Sequence, residues 1–344
     1  MLAIPVPFIV SMLLGLLAIT LYVRFAQQAK VTCLFLTLCM TTTAMVGLRW
    51  TFEYPFFSLA QPILASTIPI AAWYTFVHVN REEGSLPTYH LAAPLFVVVS
   101  AVTQPWLALP LDEILTLMYV CYGIALIRYS STDTALVNVS LGNWDGVKRA
   151  EGTAGWMLMF SAFIDLFMSL DFALNQGEWS RYIIATAHLI LVPVLSMTVV
   201  VAGINTPIPE EVDNVKGKEE SDENANDPFM SMDRAQEISS SLALKIRQDS
   251  LYLDPELTLS KLTRKLGIPA KHISIAVNQV HQQNISRYIN EYRIDHAKQL
   301  LLTTDQTITQ IFMHSGFQTK SNFNREFLRI TGVTPSGFRK QENK

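Results

Sequence analysis

Charge is what this sequence has least of. Lys, Arg, Asp and Glu make up 16% of its 344 residues, and half of the chain is apolar. An ordinary soluble protein carries about 25% charged residues, so this composition excludes a wholly soluble chain. Cysteine is scarce as well. Cys33, Cys39 and Cys121 lie in apolar runs, match no zinc or redox spacing, and read as small membrane-core residues. The G-x-x-x-x-G-K-[ST], G-x-S-x-G and H-E-x-x-H patterns are all absent, and seven scattered histidines make no metal spacing. No catalytic residue, metal or cofactor is therefore expected, and the chain reads as not an enzyme. No basic residue precedes the first apolar run and the membrane pattern continues past it, which argues against a cleaved signal peptide.

Long apolar runs are what the chain has instead. Seven of them approach or exceed the ~20 residues that a helix needs to cross a bilayer core. They fall near 5–24, 31–50, 56–79, 90–109, 111–129, 154–174 and 182–204, with a tight turn near Pro110 between the fourth and fifth. The expectation is an all-α protein whose residues 1–204 form a polytopic seven-helix bundle. Loop charge sets its orientation. Arg24, Lys30, Arg81, Lys148 and Arg149, with Arg128 at the edge, fall in the loops that an outside N-terminus places in the cytoplasm. Only Arg49 and Arg181 fall on the other side. Seven spans of a bacterial cytoplasmic membrane then leave the C-terminus on the cytoplasmic side. The outer loops are too short for a folded external sensor domain.

Residues 205–230 include Pro207, Pro209 and the run Glu219-Glu220-Ser221-Asp222-Glu223-Asn224. Such a stretch reads as an acidic flexible linker. Beyond it the balance reverses. Residues 233–344 hold sixteen Lys and Arg against ten Asp and Glu, a basic surface suited to phosphates.

The spacing in 231–344 predicts two helix-turn-helix units. Asp233 is placed to cap a first helix. Leu259, Leu262, Leu266 and Ile268 give a scaffold helix its apolar face. Gly267 turns the chain, and Pro269 opens a helix with Ile273, Ala276 and Val277 inward and Lys271, Ser274, Ile275 and Asn278 outward. A connector is expected from about Ile285 to Leu302. In the second unit Ile308, Ile311 and Phe312 bury a short helix, and Ser315-Gly316-Phe317 breaks it. Thr319 is a plausible N-cap for a helix with Phe323, Phe327 and Ile330 inward. Lys320, Ser321, Asn324 and Arg325 face outward. A helix of this kind presents side chains to a major groove, where Lys and Arg donate to guanine or phosphate and Asn pairs with adenine. Lys271, Ser274, Asn278, Lys320, Ser321, Asn324 and Arg325 are the candidate DNA contacts, to bases or to phosphates alone.

Gly316-Phe317, Ser321-x-Phe323, Arg325-x-Phe327 and Thr331-Gly332-x-Thr334-Pro335-x-x-x-Arg339 resemble the signature of the AraC/XylS family of transcription regulators. The likeness continues upstream through Leu257-Thr258-Leu259, Leu266-Gly267-Ile268, Tyr288-Ile289-Asn290, Arg293-Ile294-x-x-Ala297 and Leu300-Leu301. It covers roughly a quarter of the chain. Phe312 stands where the family usually has Ala, and Val277 where it has a large aromatic. The resemblance implies two recognition helices entering successive major grooves of double-stranded promoter DNA. It also implies a homodimer on half-sites, RNA polymerase as a partner, and activation rather than repression.

Ionisable residues inside spans are the sensing candidates, because they are costly in lipid. Asp165 and His188 fall at similar depth in the sixth and seventh spans. Asp171, Arg49 and Glu53 fall towards the outer face, where they read equally as a structural ion pair. The reading is a one-component regulator in the lipid bilayer, its bundle open to a small lipophilic ligand. A transporter or membrane enzyme with a fused regulator, and a bundle that serves only as an anchor, are the alternatives.

Overall fold

The computed structural model describes residues 5–198 and 230–342, apart from 26–29, 53, 82–86, 105, 108, 133, 134, 181, 188, 189, 192, 193, 195 and 196. Two compact units emerge: Met1–Thr134 with Asp145–Ile208, and Ala135–Trp144 with Pro209–Lys344. Among the described residues the regular structure is helical and no strand occurs.

The first unit contains α1 (Val6–Phe25), α2 (Lys30–Thr51) and α3 (Pro55–Trp73), which passes into a π-helical turn Tyr74–His78 and a last turn Val79–Arg81. Then come α4 (Ala92–Thr103), α5 (Leu111–Ser131) and α6 (Trp144–Asn175). By length and composition, five helices among the described residues can cross a membrane: Val6–Arg24, Lys30–Thr51, Pro55–Arg81, Leu111–Ser131 and Leu141–Asn175. The run expected over 90–109 contains a shorter apolar helix, Thr88–Thr103, after which the amides of Trp106 and Leu107 turn back to the Thr103 carbonyl. Much of the run expected over 182–204 lies outside the described residues.

The loop expected over 130–153 is much shorter than that, because α6 begins at Trp144. Hydropathy misses this first part since it carries Asp145, Lys148, Arg149 and Glu151. Asp145 favours the helix start electrostatically. The Glu151 side chain is fully buried against Arg81, whose Nη2 donates to Glu151 Oε2 at 2.8 Å while Nη1 pairs with Oε1. The guanidinium also lies 5.6 Å from the centre of the Tyr129 ring.

Leu14, Leu36, Phe76, Leu126 and Leu158 are buried together at the centre of this unit. The backbones of α5 and α6 approach each other at Gly123 and Gly155. A Cβ on Gly155 would lie 2.8 Å from the Gly123 carbonyl oxygen, so only glycine allows that approach. The outer surface is apolar in turn: Met12, Val23, Trp106 and Leu174 are 75–83% exposed. Each would gain about 1.5–3 kcal/mol by leaving water, which lipid supplies and an aqueous surface does not.

The second unit holds α7 (Met232–Gln248), α8 (Leu259–Leu266), α9 (Ala270–His281), α10 (Ile285–Thr303), α11 (Ile308–His314), α12 (Lys320–Thr331) and α13 (Pro335–Glu342). Caps explain most boundaries. Ser231, rather than Asp233, caps α7 by accepting from the Arg234 amide; Asp233 sits inside the first turn. Thr258 and Asn284 do the same for α8 and α10, and Thr307 with Gln310 forms a capping box on α11. Ala235, Ile238 and Ala276 form one core between α7 and α9. Ile294, Ala297, Leu301, Ile311, Phe312, Phe317, Phe323 and Phe327 form another, to which α10 contributes. Phe312 fits there as a buried side chain, its ring 6.3 Å from that of Phe323.

Residues 135–144, which the chain supplies between α5 and α6, belong to this second unit. Leu136, Val139 and Leu141 are completely buried. Ser140 and Thr258 form an isolated antiparallel bridge. The Leu141 amide donates to the Leu257 carbonyl at 2.8 Å, and the Ser260 amide to the Val137 carbonyl at 3.1 Å.

Candidate nucleic-acid interface

The turns between paired helices depend on glycine. Gly267 (φ +68°) ends α8, and Gly316 (φ +76°) follows α11. Gly316 is doubly constrained, since a Cβ there would meet the Tyr252 carbonyl oxygen at 2.3 Å. Each turn leads into a helix with one buried and one open face. On α9, Ile273, Ala276 and Val277 have no exposure at all. Lys271 and Asn278 are exposed, and Ser274 and Ile275 half-buried. On α12, Phe323 and Phe327 are fully buried. Lys320, Ser321, Asn324 and Arg325 are all exposed, so the outward face read from the sequence is open to solvent.

The starts of the two helices share an electrostatic feature. Neither first turn contains an acidic residue, and each contains a lysine: Lys271 on α9, Lys320 on α12. Positive charge at a helix N-terminus opposes the helix dipole and costs about 0.3–1 kcal/mol. An anion placed there reverses the sign, since exposed amides, dipole and ammonium then all act on it. Arg325 is positioned further along α12 by Asn322 Oδ1 at 2.8 Å and Glu326 Oε1 at 3.4 Å. Glu326 also takes Arg329 at 3.0 Å.

Arg293, matched above only as part of a motif, is the central polar residue of this unit. It is fully buried on α10. Its Nε donates to the Tyr252 carbonyl at 2.7 Å, Nη2 to the Asp254 carbonyl at 2.8 Å, and Nη1 to Asn290 Oδ1 at 3.4 Å. The guanidinium lies 5.6 Å from the Phe317 ring centre. Burial lowers its pKa to about 10, with the Asp254 charge opposing that shift, so it stays cationic at neutral pH. One side chain thus joins the segment before α8 to the turn before α12. A charged residue inside a helix otherwise rich in buried side chains was the available signal.

The sensing candidates are less gathered. Asp165 is half-buried on α6. Asp171 Oδ2 accepts from the Trp179 amide at 3.0 Å and from Ser180 Oγ at 2.8 Å, closing the turn that follows its own helix. Arg49 donates to Gln61 Oε1 at 2.6 Å, and no ion pair joins it to Asp171. Glu53 and His188 lie outside the described residues. Among the described residues, no group of three or more His, Cys, Asp and Glu could hold a metal ion.

Residues 262–341 match the family described as a helix-turn-helix domain, so the C-terminal unit carries such a domain, of AraC type. Relatives in Staphylococcus aureus are similar over a stretch of comparable length. Uncharacterized HTH-type transcriptional regulators of strains MSSA476 and N315 are each 34% identical over 89 residues, or 26% of this chain and 12% of theirs. The uncharacterized HTH-type transcriptional regulator YtdP of Bacillus subtilis strain 168 is 29% identical over the same shares. The chain therefore spans only about an eighth of the length of these relatives. No solved structure matches.

Proposed function

We propose that this protein is a membrane-embedded one-component transcription regulator. Its C-terminal unit binds double-stranded DNA through α9 and α12, and its N-terminal helices form a seven-span bundle with the N-terminus outside. The observation that carries the reading is the pair of open recognition faces, each beginning with a lysine at an acid-free helix start. Lys271, Ser274 and Asn278 contact one major groove; Lys320, Ser321, Asn324 and Arg325 contact the next. Two linked units bind far more tightly than either alone, through effective concentration. The chain acts as a homodimer and an activator that engages RNA polymerase, restrained or released by a small lipophilic signal near Asp165 and His188.

The test is selection of bound sequences from random DNA by full-length protein in lipid nanodiscs. A tandem motif must emerge, and Arg325→Ala must weaken its binding. Recovery of no motif, or a motif bound equally by Arg325→Ala and Lys271→Ala, defeats the proposal. A promoter reporter then compares the full chain with and without candidate signals.

A further inference from the structure

The segment 135–144 touches the second unit at the starts of three helices, α8, α10 and α12. Toward the first helix-turn-helix it pairs with Leu257, Thr258 and Ser260, at the start of α8. Toward the connector, Ser286 Oγ at the start of α10 donates to the Leu141 carbonyl. Toward the second helix-turn-helix, Asn322 Nδ2 in the first turn of α12 donates to the Gly142 carbonyl, and Asn143 Nδ2 donates to Gln318 Oε1. Gln318 in turn donates to Glu256 Oε1 at 2.6 Å. Gly142 is packed close as well: a Cβ there would lie 3.4 Å from Arg293 Nη1 and 3.8 Å from Asn322 Nδ2.

Three facts say this is a built site and not a loop resting on a surface. Leu136, Val139 and Leu141 have no exposure, so the segment's apolar side chains are enclosed. Ser286 and Asn322 are themselves buried, and both aim a donor at the segment's backbone. Lys320, Ser321, Asn324 and Arg325 nevertheless remain exposed, so the seated segment does not cover the recognition face.

We infer that the cleft bounded by Leu257–Ser260, Ser286 and the first turn of α12 is a docking site whose occupant is the chain's own segment 135–144, and that this clasp sets the spacing between α9 and α12. It joins the starts of α8, α10 and α12 from a point in the chain tied to α5 on one side and α6 on the other. Any rearrangement that draws α5 and α6 away pulls on the clasp directly, without passing through residues 205–230. This inference rests on the DNA-binding reading above.

The experiment uses full-length protein in nanodiscs and the tandem site it selects. Hydrogen exchange is read at the Leu141 and Ser260 amides, which donate across the clasp. Affinity is read on the selected site and on a version with five base pairs inserted between half-sites, about half a turn of duplex. Wild type should protect both amides and prefer the selected spacing. Val139→Asp and Leu141→Asp should speed exchange at those amides at least tenfold and reduce the spacing preference about tenfold. Exchange in α7 should stay unchanged, which separates an open clasp from an unfolded unit. A Ser140→Cys, Thr258→Cys pair, cross-linked, should keep the wild-type preference. Unprotected amides in wild type, an unchanged spacing preference in an opened variant, or a preference lost on cross-linking would each overturn the inference. Failure to bind any DNA would instead overturn the regulator reading, and the role in spacing with it.

Discussion

Replacing Arg293 by Met should cost the second unit about 2–3 kcal/mol. The side chains are similar in volume, so the cavity contribution is small, and the loss is polar. The Tyr252 carbonyl is left buried without its donor, at about 1–3 kcal/mol. The Asp254 carbonyl keeps the Leu257 amide at 3.3 Å and loses the shorter bond from Nη2, about 0.5–1.5 kcal/mol more. The contact over Phe317 adds about 0.5–2 kcal/mol. Against this, removing a desolvated charge relieves a penalty that burial has written into its lowered pKa. The measurement is native-state hydrogen exchange across α10, on full-length protein in detergent micelles, with denaturant added in steps. Arg293→Lys should recover less than half of the loss, because one ammonium cannot reach both carbonyls and Asn290 together. A change below about 0.5 kcal/mol, or a Lys variant equal to wild type, would falsify the argument that forked hydrogen bonding, rather than charge or bulk, holds this joint.

Gly316→Ala should destabilise the same unit by about 2–4 kcal/mol, from the left-handed backbone and the collision with Tyr252, and thermal unfolding checks it. Lys320→Ala should weaken DNA binding on all sequences and reduce the slope of log affinity against log salt by about 1, measured by titration at several salt concentrations. Asn324→Ala should instead cost about 1–3 kcal/mol on the selected site and little on unrelated DNA, a contrast that competition binding resolves. Burial, and then the neighbouring His314, lower the pKa of His296 from 6.5. The folded state therefore binds its proton less readily than the unfolded one. Stability should hold above pH 6.5 and fall as pH drops from there towards the lower folded value, and His296→Gln should flatten that decline in denaturant titrations.

The second unit was readable because its signals are local. Gly267, Gly316 and Thr319 each mark a boundary through their own chemistry, and apolar spacing on α9 and α12 gives the inward face directly. The first unit was readable only in its apolarity. A hydropathy window finds Leu and Val and passes over Glu151, so it placed the start of α6 ten residues late. The ion pair that permits Glu151 to be buried comes from Arg81, 70 residues earlier, and no local pattern announces it. The seat for residues 135–144 escaped for the same reason. Its side chains, Leu136, Val139 and Leu141, look like any short apolar loop until Thr258, Ser286 and Asn322 are folded beside them. The sequence suggests a cut at residues 205–230, yet a piece taken from there onward leaves that seat uncovered.

Chain order gives this arrangement a timetable. Asn322 binds a carbonyl supplied 180 residues earlier, and Ser286 one supplied 145 residues earlier. At roughly 5–20 residues per second, a ribosome needs on the order of 10–30 seconds to make the later partners after residues 135–144 have emerged. During that interval Leu136, Val139 and Leu141 wait without their seat. The C-terminal unit therefore closes around a strip of chain made well before its own helices.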